Sequence, residues 1–244
     1  MKKILSVLLV TVMLISKSIN AFAAENHIVT SQSSFGNKFC GEMVLTDQQN
    51  AEYLASLSEV ELQMIVEKEN AATQVVRNTM TRSGSLITVP NTFTMYQQET
   101  DNYCIPATIK SILMYINGTS PTQSTIAATT GTDPTKIPSY LNDRQYQCYY
   151  IYSAKSTFDQ DGMCSDLYST IFYSHVPASM GISGTTTSNW YYVTSGHSLV
   201  VCGIYDDYSY IRFGDPLGDR VAGCPYFYSK SSSLSYSVCS RIVW

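Results

Sequence analysis

The sequence predicts an α+β domain in which helices come first and an antiparallel sheet follows. Three observations carry this. Apolar residues at 105, 109, 112, 113 and 116 recur at helical spacing. From residue 176 onward the apolar residues gather into short β-like runs separated by turn residues. Asp206-Asp207 lies between two of these runs and reads as the tight turn of an antiparallel pair. With 244 residues, 44% of them hydrophobic and 14% charged, the chain carries enough apolar material for a sizeable core.

The elements follow in order. Residues 1–23 read as a secretory signal: Lys2 and Lys3 form the positive end, Ile4 to Ile15 is an apolar run, and Ala21-Phe22-Ala23 is an A-x-A cleavage pattern. The run is too short to span a bilayer, so cleavage before Ala24 and export are expected, with no stable membrane span afterwards. Residues 24–41 look like a loose polar leader. Two capping boxes follow, Thr46 with Gln49 and Ser58 with Glu61, each opening a helix. The helical signal fades after Glu69, and residues 79–85 have the composition of a linker. A boundary near residue 85 therefore divides a helical N-terminal extension or pro-segment, 24–85, from a main domain, 86–244. A removable N-terminal segment would leave the main domain on its own, with Arg77 and Arg82 as processing points. A permanent helical extension is the alternative.

Within the main domain, Leu86–Val89 reads as a strand ended by Pro90, and Ile105 to Asn117 as a helix stopped by Gly118. Ser124–Thr129, Pro134–Asn142 and Asp161–Ser174 read as further helices. Val176–Met180, Ser198–Tyr205, Tyr208–Phe213, Tyr226–Tyr228 and Val238–Trp244 read as strands. The net charge is -4, and no basic run follows the N-terminus, which argues against a nucleic-acid partner. The 19 tyrosines suit a hydrogen-bonding surface. Seven cysteines, an odd number, leave at least one thiol unbridged in an oxidising compartment. None has zinc spacing, and no metal or cofactor is implied.

Cys104 is the residue with chemistry. It sits where a loop becomes a helix, with Pro106 suited to a first turn that has no donor to lose. The positive end of a helix dipole there favours thiolate, the nucleophilic form. The chain has three histidines: His27 lies in the leader, His175 precedes a strand, and His197 opens the apolar run Ser198–Cys202. If 198–205 and 208–213 form a hairpin, Asp215 returns to the neighbourhood of His197 and can hold one ring nitrogen while the other meets the thiol. Asp206 and Asp207 are rivals for that role. Gln98, with Gln97 as its competitor, could offer its amide with the Cys104 backbone N–H to a developing oxyanion.

Gln98…Cys104-Ile105-Pro106-Ala107, then Gly196-His197-Ser198-Leu199-Val200-Val201, then Gly214-Asp215-Pro216 resemble the bacteriocin-processing-peptidase-like (double-glycine-peptidase-like) cysteine peptidases of the papain-like superfamily. Gln123–Ala127 and Gly131-Thr132 add to the likeness, which covers roughly 86–244. The departure is Ile105, where glycine is commoner. The resemblance implies a papain-like fold, a peptide or protein substrate, and no cofactor. It makes Cys104 the nucleophile, His197 the general base and acid, Asp215 the orienting carboxylate, and Gln98 the oxyanion donor. Two other readings share the fold: a secreted binding module with an incidental thiol, and a transamidase that uses an amine in place of water. Substrate identity and oligomeric state are open.

Overall fold

The computed structural model describes residues 38–78 and 83–244. The signal 1–23, the leader up to residue 37, His27 and Arg82 lie outside the described residues. In chain order the elements are strand β1 (Lys38–Cys40), helices α1 (Asp47–Ser56) and α2 (Glu59–Asn78), β2 (Leu86–Thr88), α3 (Cys104–Asn117), α4 (Gln123–Thr130), α5 (Lys136–Asn142), β3 (Tyr152–Ala154), α6 (Gln160–Tyr168), β4 (Ala178–Ile182), β5 (Val193–Tyr205), β6 (Tyr210–Gly214), β7 (Phe227–Ser231), α7 (Ser232–Val238) and β8 (Cys239–Val243). The first helices therefore precede a largely antiparallel sheet, as expected of an α+β chain. Among the described residues no helix is long and apolar enough to cross a membrane.

The sheet runs β3-β8-β4-β5-β6-β7, with β1 and β2 added at the two ends of β5. The 13-residue β5 is its spine. It reads as an apolar run because the sheet is covered on both faces. Val200 and Cys202 face one cluster, which holds Ile105, Ile109, Ile112 and Leu113 of α3. Leu199, Val201 and Ile204 face the other, built with Met163, Leu167 and Ile171 behind the sheet. Each such fully buried aliphatic contributes about 1.5–3 kcal/mol, so α3 is pinned to the sheet across most of its length. Gly118 ends it in the left-handed region, φ 70°, which glycine enters without penalty.

Local signals placed most elements. Both capping boxes form: Thr46 Oγ1 accepts from the Gln49 backbone N–H, and the Ser58 backbone N–H donates to Glu61 at 2.8 Å. The expectation that α2 fades after Glu69 is corrected, because it runs to Asn78. Tertiary contact sustains it. Ala72 is buried in the core, and Lys68 donates to the Tyr149 carbonyl at 2.8 Å while its ammonium stands 4.7 Å above the Trp244 ring. Burial pushes the Lys68 pKa down to about 8. Residues 38–40, expected within a loose leader, pair with β5 as a parallel strand. Strand β3 and helix α7 had no sequence signal strong enough to predict them.

The turn at Asp206-Asp207 is real, closed by Tyr208 N–H to Tyr205 O at 2.9 Å, with Tyr208 at φ 62°. Asp206 accepts from Ser83 and Ser85, so it clips the segment before β2 rather than facing His197. The hairpin it makes possible carries β6 back along β5 to Gly214, opposite Val200.

Candidate active site

Cys104 is the first residue of α3 and is fully buried. No side chain caps this helix end, so its first-turn N–H groups and positive dipole end are left to the cleft. Pro106 occupies the third helical position, where an N–H would have had no intrahelical partner. Ile105 is buried in the α3 core.

His197 lies inside β5 and not at its opening, a correction to the sequence reading. It nevertheless reaches a free end of the sheet. Pairing with β4 ends at Ile182, directly across from His197, and pairing with β6 begins only at Val200. The gap admits the loop after β6. There Asp215 Oδ1 stands 3.1 Å from His197 Nε2, and the imidazole is close enough to Cys104 for the sulfur to act on its charge. With Nε2 committed to Asp215, Nδ1 is the nitrogen that serves the sulfur. The three side chains converge although 111 positions separate Cys104 from Asp215 in the sequence.

Asp215 is fully buried yet well supplied with donors. Oδ1 also accepts from the Leu217 backbone N–H at 2.8 Å. Oδ2 accepts from the Tyr192 hydroxyl at 2.6 Å, the Tyr228 hydroxyl at 2.7 Å and the Cys224 thiol at 3.6 Å. The Tyr192 ring meets the imidazole edge-on, 5.4 Å between centroids. Burial opposes ionisation of Asp215, but the hydrogen bond and charge of His197, with the two tyrosine hydroxyls, win and hold its pKa below the usual value. Burial likewise opposes charge on His197. The hydrogen bond to Asp215 and the neighbouring Cys104 overcome it and raise the imidazole to about 10.

Gln98 is buried beside this group, and its backbone N–H donates to Pro216 O at 3.0 Å. Its side-chain amide donates to the Thr100 and Asp101 carbonyls, at 2.9 and 3.1 Å, and Oε1 is buried with no hydrogen-bond partner among the described residues. Both amide hydrogens are thus spent on the loop that leads to Cys104. Gln97 instead bonds Gly218 O at 3.0 Å. Arg220 ties the Gln98 carbonyl and Asp101 together, so the Cys104 loop and the Asp215 loop are stapled to each other. His175 is exposed, in the left-handed region at φ 57°, away from these groups.

The tyrosines that steady Asp215 had no distinguishing signal in a chain so rich in tyrosine. Nor did the segment that covers the sulfur. From β1 the chain runs across the cleft: Gly41 and Glu42 N–H both donate to Gly196 O, at 3.0 and 3.1 Å, and Met43 N–H donates to Thr132 O. A Cβ on Gly41 would stand 2.7 Å from Cys104 Sγ, too close for any real contact. One on Gly196 would run into the Glu42 carbonyl. Glycines on both sides let this strap lie directly on the thiol. Cys104, Cys148, Cys202, Cys224 and Cys239 are free thiols.

The charges of the His197–Asp215 pair set a pH window for stability. His197, raised from 6.5 to about 10, stabilises the fold fully below 6.5 and loses that contribution as pH rises through about 10. Asp215, lowered from 3.8, stabilises fully above that value and loses its contribution as pH falls through its depressed pKa. The pair's own contribution, read as the difference in melting temperature between the unmodified chain and His197→Gln, is expected to be flat between about pH 4 and 6.5 and to decline toward pH 10. In His197→Gln the alkaline decline shrinks, as differential scanning calorimetry would read; an unchanged slope would contradict the charged pair.

Comparison with known proteins bears on the fold and the family. A search of curated proteins finds no match. Among solved structures, a similar one is the crystal structure of xylellain, a cysteine protease from Xylella fastidiosa, with 12% identity and a TM-score of 0.50 over 87% of this chain and 98% of that one. At that identity the likeness shows the fold, which is papain-like. Residues 90–236, more than half of the chain, match the Peptidase_C39 like family, and they span Gln98, Cys104, His197 and Asp215. The chain therefore belongs to the Peptidase_C39 like family and is a cysteine peptidase.

Proposed function

We propose that the protein is a secreted endopeptidase that works by acyl transfer through Cys104, His197 and Asp215, and that it is made with residues 38–44 closing its own cleft. The carrying observation is the imidazole, hydrogen-bonded to a buried carboxylate and set beside a thiol at a helix N-terminus. A ring held as imidazolium beside that sulfur favours the thiolate–imidazolium pair. The thiolate attacks the peptide carbonyl carbon. The tetrahedral intermediate collapses as His197 gives its proton to the leaving amine, and a thioester remains on Cys104. His197 then takes a proton from water, whose hydroxide attacks the thioester and frees the acid and the thiol. Asp215 keeps the ring aligned and compensates its charge throughout. The Cys104 backbone N–H lies at the helix start where an oxyanion would form, and Gln98 would join it by releasing one of the two loop carbonyls it now holds.

The strap supports the pro-segment reading of the N-terminal region. A backbone segment lying on the nucleophile excludes any other peptide from that place. Export, read from the signal sequence, gives a reason for such closure. The full chain is expected to cleave peptides slowly and to gain activity on losing the strap. N-terminal sequencing of the secreted, fully active form checks this: a start beyond residue 44 agrees, and a start at Ala24 removes the zymogen idea. Inactivation by iodoacetamide in proportion to labelling of Cys104 tests the nucleophile in the same preparation.

A further inference from the structure

Glu42 follows the glycine that lies on the sulfur, and its carboxylate enters a buried pocket. Arg241 of β8 forms the floor. Its Nε donates to Glu42 Oε1 at 3.0 Å, and Nη2 pairs with Oε2, a two-pronged grip. Nη1 donates to Ser179 Oγ of β4 at 2.7 Å, and Nη2 to Ser198 Oγ of β5 at 2.8 Å. Arg241 is 1% exposed. A Cβ on Gly181 would collide with Glu42 Oε1 and stand 2.9 Å from Arg241 Nε. That glycine therefore opens the wall through which the carboxylate enters, just as Gly196 makes room for the backbone. The pocket belongs to the sheet, while its occupant belongs to the strap.

Two serine hydroxyls cannot neutralise a guanidinium. When the strap leaves, a buried positive charge stays behind with no counter-charge, which is the costly state for an ion pair that loses one member. Whatever peptide replaces the strap meets that charge one residue beyond the one lying against Sγ. We propose that Arg241 is a specificity-determining residue, and that the open cleft selects peptides presenting a carboxylate to it, supplied by an acidic side chain at the residue that follows the one on the sulfur. A chain-terminal carboxylate is the other source with the same chemistry. This inference rests on the pro-segment reading.

The test uses three peptides. The first carries the sequence of residues 38–45 with serine in place of the cysteine and both ends blocked. The second has glutamine where the first has glutamate. The third stops after the glycine with a free carboxylate. Fluorescence anisotropy measures binding to the full chain carrying Glu42→Gln, which weakens the strap's hold and leaves Arg241 without a counter-charge. Any residual competition from the strap affects all three equally, so ratios are preserved. The first peptide is expected to bind at least tenfold tighter than the second, and Arg241→Met in the same chain should bring that ratio to unity. A ratio within twofold overturns the proposal. Tight binding of the third peptide alone overturns the side-chain source and assigns the pocket to chain termini. Hydrolysis of the same peptides by the unmodified chain, read by mass spectrometry, gives the same ratio without any variant that must fold. If neither the unmodified chain nor the secreted form that has lost its strap cleaves any of them while the binding ratio holds, the catalytic reading has failed and the pocket has not.

Discussion

Asp215→Asn is expected to cost about 3–5 kcal/mol of stability and to lower kcat/KM by about a hundred- to ten-thousand-fold. Shape is not what is lost. The tyrosine hydroxyls on Oδ2 can rotate to accept from an amide, so the asparagine can still turn its oxygen toward His197 Nε2 and the Leu217 N–H. Charge is lost, and with it the compensation that lets a fully buried imidazole stay protonated. The His197 pKa should fall from about 10 toward or below its ordinary value, and the alkaline decline in stability should fall with it. Tyr228→Phe gives the contrast: the carboxylate keeps its charge and loses one donor, so the stability cost is about 1.5–3 kcal/mol and activity falls far less. Thermal unfolding and steady-state kinetics on both variants would check this. Equal losses would mean that the hydrogen-bond cage, and not the charge, supports the ring.

Cys104→Ala is expected to lower peptide hydrolysis on the order of a millionfold, to the background left by binding alone. The fold should survive, with a change within about 1 kcal/mol. Only one buried atom is removed. Hydrolysis retained in that variant would remove the nucleophile from the account. A lost fold, seen by circular dichroism, would show that the sulfur has a packing role that its position at the start of α3 does not suggest.

Legibility in the sequence followed the range of the interactions. Capping by Thr46 and Ser58, the stop at Gly118 and the turn at Asp206-Asp207 depend on residues a few positions apart, and they were readable. The turn then made Asp215 readable too, because a hairpin of known register carries its end back to its beginning. His197 was found for a partly mistaken reason. It looked like a strand opening because the apolar run starts at Ser198, whereas β5 begins at Val193 and only its neighbours stop short. Helix α2 was cut too early because its last turns are held by Ala72 and Lys68 contacts with distant residues, and propensity carries no trace of those. The Glu42–Arg241 pair joins positions 199 apart, and the three strap residues that pair with β5 are too few to show a strand pattern. Tyr192 and Tyr228 are two tyrosines among 19, distinguished only by what they touch.

The strap runs straight on into α1, which is itself moored by the Tyr152 hydroxyl on Asn50 at 2.8 Å, so under the proposed closure the blocker and the blocked site are one molecule. Tethering of this kind sets an effective local concentration on the order of millimolar, whatever the amount of protein in solution. Dilution cannot wake the enzyme. A free competitor must exceed that local figure to gain entry, and any self-cleavage that frees the cleft would follow first-order kinetics, with a half-time that does not change as the protein is diluted.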